Sequence, residues 1–150
     1  MAVSVKPIKL WRKEIENRPG ELAAALEPLA REGADLQVVM GYRYPGHEEK
    51  AAVEVHPVAS KKLSSVAQGG GLHDASIAAL LVEGDNRPGL GHDIAQAIAD
   101  AGINLDFLVA QVMGRRYSAV FGFDNDADLK KATPLIKKVT AAKRAKKRAR

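Results

Sequence analysis

The chain of 150 residues has no cysteine. This excludes a disulfide framework, a thiolate nucleophile and a cysteine-based zinc site, and it fits a reducing compartment. No apolar run approaches the ~20 residues that cross a bilayer as a helix, and the N-terminus lacks the apolar core of a signal peptide. A soluble, cytoplasmic protein without a membrane span is expected. Catalytic signatures are missing too. There is no Ser, His and acid arrangement, no glycine-rich phosphate loop ending in Lys-Ser or Lys-Thr, and no pair of carboxylates in a recognisable context. No catalytic residue and no cofactor are therefore nominated, and a non-enzymatic protein is expected. His47-Glu48-Glu49 with His56 reads as a solvated polar turn rather than a metal site, so no metal ligand is nominated either.

Negative charge is scarce only in one place. Eight of the 23 Lys and Arg lie between Lys137 and Arg150 with no acid among them, so the rest of the chain sets 15 basic against 18 acidic side chains. The net charge of +5 belongs to the C-terminal segment, and the body is mildly acidic.

What the chain does contain, twice, is Asn-Arg-Pro-Gly. Residues 17–20 and 86–89 carry the same tetrapeptide, preceded by Glu16 and Asp85. The offset of 69 also superposes Gly33 on Gly102, Asp35 on Asn104 and Leu36 on Leu105 without a gap. A turn reused by chance would not hold register so far downstream, so the chain reads as two tandem copies of one unit. The boundaries follow as 6–72 and 73–140, with 141–150 a basic tail that has nothing apolar to bury and is expected to be frayed or disordered.

Within the first copy, Ile8 to Glu16 reads as one strand in which Ile8 and Leu10 share one face and Trp11, a packing residue, and Ile15 the other, and the turn at Asn17 leads into a helix carrying Leu22, Leu26, Leu29 and Ala30 at helical spacing. Pro28 is expected to kink that helix and Glu32-Gly33 to end it. Leu36 to Tyr42 and Ala51 to Val55 make a hairpin about Tyr44-Pro45-Gly46-His47, and Ser60 to Gln68 a second helix that stops at Gly69-Gly70-Gly71. The fourth strand is either the short Leu72 to Ala75 stretch or a segment of a neighbouring chain. In the second copy, Ile77 to Val82 is apolar on both faces, a helix follows with Ile94, Ile98 and Ala101 inward, and Leu105 to Met113 pairs with Tyr117 to Phe123. A last helix from Asn125 carries Leu129, Leu135, Ile136 and Val139, with Thr133 as the N-cap of a fresh turn begun by Pro134. The apolar outer faces imply that the sheets pack together and that two chains associate as a homodimer.

Strand, helix, strand, strand, helix, with Asn-x-Pro-Gly after the first strand and Gly33-Ala34-Asp35-Leu36 or Gly102-Ile103-Asn104-Leu105 before the second, resembles the ACT domain. The resemblance implies an α+β fold: two tandem ferredoxin-like (βαββαβ) units with antiparallel sheets, helices on one face and a basic C-terminal helical tail. It further implies a stand-alone regulatory protein whose ligand, typically an amino acid, sits near the turn at an interface between domains, with backbone N–H groups meeting its carboxylate. Carried over, the ligand-binding candidates are Asn17, Arg18, Pro19, Gly20, Glu21 and Leu22, and Asn86, Arg87, Pro88, Gly89, Leu90 and Gly91. Physics gives the turn the same task, because a glycine turn delivering a helix N-terminus presents unpaired N–H groups at a positive dipole end. The same residues would equally serve a plain turn shaped by Pro-Gly and capped by Asn.

The expected function is non-enzymatic regulation: a small ligand, an amino acid, binds at the turns and domain interfaces, and its occupancy is signalled to an unidentified partner protein. The alternative is a protein-interaction module without a ligand. A nucleic-acid role ranks lower, since base stacking on a ferredoxin-like sheet needs aromatics where Ala119 stands. The tail, with six basic residues among the last eight, is the segment suited to a weak, non-specific nucleic-acid contact.

Overall fold

In a computed structural model of the protein, residues 3–141 are described. The expected tail falls outside them except for Ala141, which ends the last helix. The strands are β1 (Ser4–Ile8), β2 (Trp11–Glu16), β3 (Val38–Tyr44), β4 (His47–His56), β5 (His73–Asp74), β6 (Ala78–Asp85), β7 (Leu105–Met113) and β8 (Arg116–Phe123). The helices are α1 (Glu21–Arg31), α2 (Lys61–Gly69), α3 (Leu90–Asp100) and α4 (Asp126–Ala141). They form an α+β fold of two units, each with one four-stranded antiparallel sheet.

The first unit, Lys9–Ser76, orders its strands β3-β4-β2-β5. Its fourth strand is the short segment anticipated after Leu72, with Trp11 opposite Asp74 and Arg12 opposite His73. Trp11, Leu29, Val53, Val55, Ala67 and Leu72 form its core beneath α1 and α2. Pro28 lies in the last turn of α1, where its ring borders Gly70; a Cβ on Gly70 would come within 3.3 Å of Pro28 Cγ. Gly33, at φ +74, follows the C-cap Glu32 in the left-handed conformation that glycine adopts without strain.

The second unit starts at Ile77 and takes its fourth strand from the other end of the chain. β1 pairs with β6, from Ser4 opposite Glu83 to Ile8 opposite Ala79, giving the order β1-β6-β8-β7. This corrects two expectations. The strand read from Ile8 to Glu16 is two strands, which part at Lys9-Leu10 and join different sheets. The boundaries read as 6–72 and 73–140 also shift, since residues 6–8 ladder with β6 while β5 ladders with β2. The apolar residues change phase at this junction, from Ile8 and Leu10 at even positions to Trp11 and Ile15 at odd ones, but one strand with apolar groups on both faces would show the same pattern, so periodicity alone does not reveal that the chain leaves one sheet for another.

Val5, Leu80, Val82, Ile94, Ile98 and Phe121 are among the residues of the second core. Ala79, Leu80, Leu81 and Val82 are all buried, so β6 is covered on both faces as its sequence requires. α4 runs through Pro134 instead of restarting there. Asn125 Oδ1 accepts from the N–H of Asp128 at 2.8 Å at its start, and the Thr133 hydroxyl, expected as a cap, donates to the Leu129 carbonyl at 2.8 Å. A helical Thr bonding back to i−4 is a common alternative to capping.

Candidate ligand groove

At the end of β2 the Asn17 N–H donates to the Glu49 carbonyl at 2.9 Å, and the Asn17 side-chain amide donates to the Glu48 carbonyl at 2.7 Å. Asn17 thus ties the turn to the first residues of β4 and does not cap α1. The N-cap is Gly20, at φ +90, and no side chain caps the first-turn N–H groups of α1. Arg18 is exposed and paired with Glu16 at 3.1 Å and Glu21 at 3.0 Å.

Beside this turn lies an open groove of about 370 Å³. Of the residues nominated from sequence, Asn17, Arg18 and Leu22 line it. Pro19 and Gly20 shape the turn, and Glu21 holds Arg18. Leu22, which shares the helical spacing of Leu26 and Leu29, is 44% exposed, whereas α1 buries Ala25 and Leu29. Ile15, Ala51 and Val53 supply apolar lining, and the edge strand β3 closes one side through Gly41, Tyr42 and Arg43.

Sequence reading missed the contribution of β3. The register sets Gly41 opposite Val53 and Arg43 opposite Ala51, so both share the groove's face of the sheet. A Cβ at Gly41 would meet nothing within 4 Å, so this glycine borders open space. Arg43 is exposed and has no ion-pair partner among the described residues, unlike Arg18. Gly41 carries a recognisable signal, since a glycine inside a strand marks close approach or open space. Arg43 carries none without the pairing register.

The second turn is built differently. The Asn86 N–H donates to the Arg115 carbonyl at 2.8 Å, repeating the tie made by Asn17, and Gly89 at φ +83 is again the N-cap. Arg87, however, is half-buried and spent within the fold: Nη1 lies 2.6 Å from Asp93 Oδ2 and Nη2 donates to the Val139 carbonyl at 3.4 Å. The Arg87 hydrogen bond, then one from His92, holds the Asp93 carboxyl below its usual range. Leu90, the counterpart of Glu21, lies in the core, and Gly91 stands where the first copy has Leu22. Pro88 is exposed on the turn. The two copies share a backbone and differ in the side chains that could meet a ligand.

On the other face of the first unit's sheet, Glu54 is 1% exposed. Tyr42 Oη donates to Glu54 Oε2 at 2.6 Å, and Arg12 Nη2 donates to Tyr42 Oη at 3.2 Å and lies 3.4 Å from Glu54 Oε2. Burial, reinforced by the hydrogen bond to Glu54, pushes the Tyr42 phenol up to about 12. Burial opposes the Arg12 charge, but Glu54 and then Tyr42 outweigh it and raise the pKa of the guanidinium above its ordinary value. Glu54 Oε1 and Arg12 Nε are buried without a hydrogen-bond partner among the described residues.

Among the described residues no group of three or more His, Asp or Glu could hold a metal ion, and no helix is long and apolar enough to cross a membrane.

No protein-family model matches the chain, and no curated protein matches it. Solved structures do. A protein from Bacteroides thetaiotaomicron superposes with a TM-score of 0.74 at 14% identity, covering 89% of each chain. The regulatory subunit of aspartate kinase from Thermus thermophilus, in a ligand-free form, superposes at 0.61 with 18% identity over 93% of this chain and 97% of that one. Aspartate kinase from Synechocystis superposes at 0.59 with 16% identity, over 96% of this chain but 27% of the longer enzyme. These likenesses establish the fold, α+β with two ferredoxin-type units.

Proposed function

We propose that this chain is a non-enzymatic regulatory protein that holds a small carboxylate-bearing ligand, an amino acid, in the groove of the first unit and signals its occupancy to a partner protein. The observation that carries the reading is the groove itself. Apolar lining from Ile15, Ala51 and Val53 suits a side chain, while the uncapped start of α1 and Arg43, which has no ion-pair partner among the described residues, suit a carboxylate. Binding is assigned to the first turn rather than shared equally, because Arg87 already serves Asp93 and a helix-end carbonyl. The regulatory role is supported by neighbours that are regulatory subunits or domains of aspartate kinase.

The test is a calorimetric and thermal-shift screen of the protein amino acids. A ligand at a hundred times its Kd stabilises the protein by ~2.7 kcal/mol, which raises the Tm by roughly 5–10 °C for a chain of this size. Gly41→Leu, placed where an added side chain meets open space, is expected to fill the groove and abolish binding without unfolding the protein. Arg43→Ala is expected to weaken binding by about tenfold, the loss of one charge-assisted hydrogen bond. A screen in which no amino acid binds, alongside capture of a protein partner whose affinity ignores Gly41→Leu, would leave an interaction module without a ligand.

A further inference from the structure

In the groove of the first unit the pairing register sets two rows across the sheet. Ile15, Ala51 and Arg43 lie opposite one another beside the turn, and Val53 and Gly41 form the next row inward. Around the turn the polar side chains are mostly taken. Arg18 pairs with Glu16 and Glu21, the Asn17 amide donates to the Glu48 carbonyl, and the Tyr42 hydroxyl donates to Glu54 on the other face of the sheet. Lys13 ends the inner row on β2 but does not line the groove; it runs along Gly71, where an added Cβ would come within 3.2 Å of its Cε. The inner row therefore offers the groove no polar side chain.

The second copy fills the same space with its own side chains. Asn17 bonds to the Glu49 carbonyl and Asn86 to the Arg115 carbonyl, so two residues further on Tyr117 stands in the place of Ala51. The hairpins agree, since Ala51 lies opposite Arg43 and Tyr117 opposite Val112. Gly84 takes the place of Ile15, and Val3 packs over it, where an added Cβ would come within 3.1 Å of Val3 Cγ2. Tyr117 is buried in the second core. Its hydroxyl has no hydrogen-bond partner among the described residues. A polar atom carried into this part of the fold is thus left unpaired, which costs free energy that carbon does not lose.

We propose that the groove selects an amino acid with an apolar side chain, laid over Ala51 and Val53 toward Gly41 while its carboxylate faces Arg43 and the start of α1. The inference rests on the reading of the groove as an amino-acid site and adds to it the class of side chain. A side chain ending in a hydroxyl, carboxylate or ammonium must leave that end unpaired on the inner row or turn it back to water, and either way it forgoes contact with Val53. Gly41 sets how far the side chain extends, because an added Cβ there meets nothing within 4 Å.

The test is calorimetry on the full chain with pairs of amino acids matched in shape. Valine is expected to bind roughly ten- to a hundredfold more tightly than threonine, and norleucine to exceed lysine by a similar margin. From alanine through 2-aminobutyrate to norvaline, affinity should rise about fourfold with each methylene. Gly41→Ala, a mild change within a strand, is expected to cut the preference for norvaline over alanine by about fourfold, the contribution of one methylene. Ala51→Tyr, which copies the second unit, is expected to abolish binding of every amino acid with the circular dichroism spectrum unchanged. Threonine or lysine binding as tightly as its apolar match overturns the inference and leaves the groove an amino-acid site. A preference for norvaline that ignores Gly41→Ala, or binding that survives Ala51→Tyr, places the side chain elsewhere and overturns it as well. A protein that binds no amino acid overturns both the inference and the reading beneath it.

Discussion

A chain starting at Lys9 is expected to lose about 4 kcal/mol of stability in its second unit. The deleted strand β1 contributes Val5 and Ile8, both buried, and burying each such side chain stabilises by ~1.5–3 kcal/mol. It also leaves the backbone of β6 unpaired along a row that now bonds to five residues. The first unit keeps all four of its strands. Urea unfolding separates the two responses, since Trp11, the single tryptophan, lies in the first core and reports on it, while far-ultraviolet circular dichroism follows both units. With m near ~2 kcal/mol/M, the dichroism midpoint should fall by roughly 2 M and separate from the fluorescence midpoint. Val5→Asp, which forces a carboxylate into the second core, is expected to act in the same direction in the full-length chain. A truncated protein whose two probes still coincide at the original midpoint would mean that β1 is dispensable to the sheet it joins.

That strand also marks how far the amino-acid sequence could be read. The repeated Asn-Arg-Pro-Gly located the strand-to-helix turn of both units, because the need for a positive-φ glycine at the N-cap is local: Gly20 and Gly89 stand at φ +90 and +83. The hairpins and helix ends are local for the same reason, each written in turn residues or in periodicity. Strand pairing is not local. Nothing within Ser4–Ile8 names Ala79 to Glu83 as its partners rather than β2, whose sequence follows almost at once. The groove divides along the same line. Asn17, Arg18 and Leu22 are adjacent in sequence and could be nominated together, whereas Gly41, Arg43 and Val53 join them only through the β3–β4 register. Glu54 is the sharpest case, because it sits where alternation puts a polar side chain on an open face, yet it is buried.

Glu54 carries the second large expectation. Replacing it with Ala should cost about 3 kcal/mol, within the range for breaking a buried charge pair, since the Arg12 guanidinium and the Tyr42 hydroxyl would lose their common acceptor. Tyr42→Phe, which removes one hydrogen bond and leaves the ion pair, should cost about 1–2 kcal/mol. The residues share one network, so the double variant should fall short of the sum of the single ones. The Tyr42 phenol gives the network a second readout. Its pKa in the fold, about 12, lies above the ordinary value of 10.0, so folding favours the protonated phenol. The stabilisation from that proton is complete below pH ~10 and is lost as pH rises through ~12. Removing the carboxylate that accepts the proton should let Tyr42 ionise closer to its ordinary value, visible as earlier phenolate absorbance near 295 nm in an alkaline titration of Glu54→Ala, with Tyr42→Phe as the control that removes the Tyr42 share of the late component and leaves that of Tyr117, whose phenol burial also pushes up. Denaturant titrations placing Glu54→Ala within about 0.5 kcal/mol of the wild type, a change typical of an ordinary surface site, together with an unmoved phenolate curve, would show that this buried carboxylate does not hold the network together.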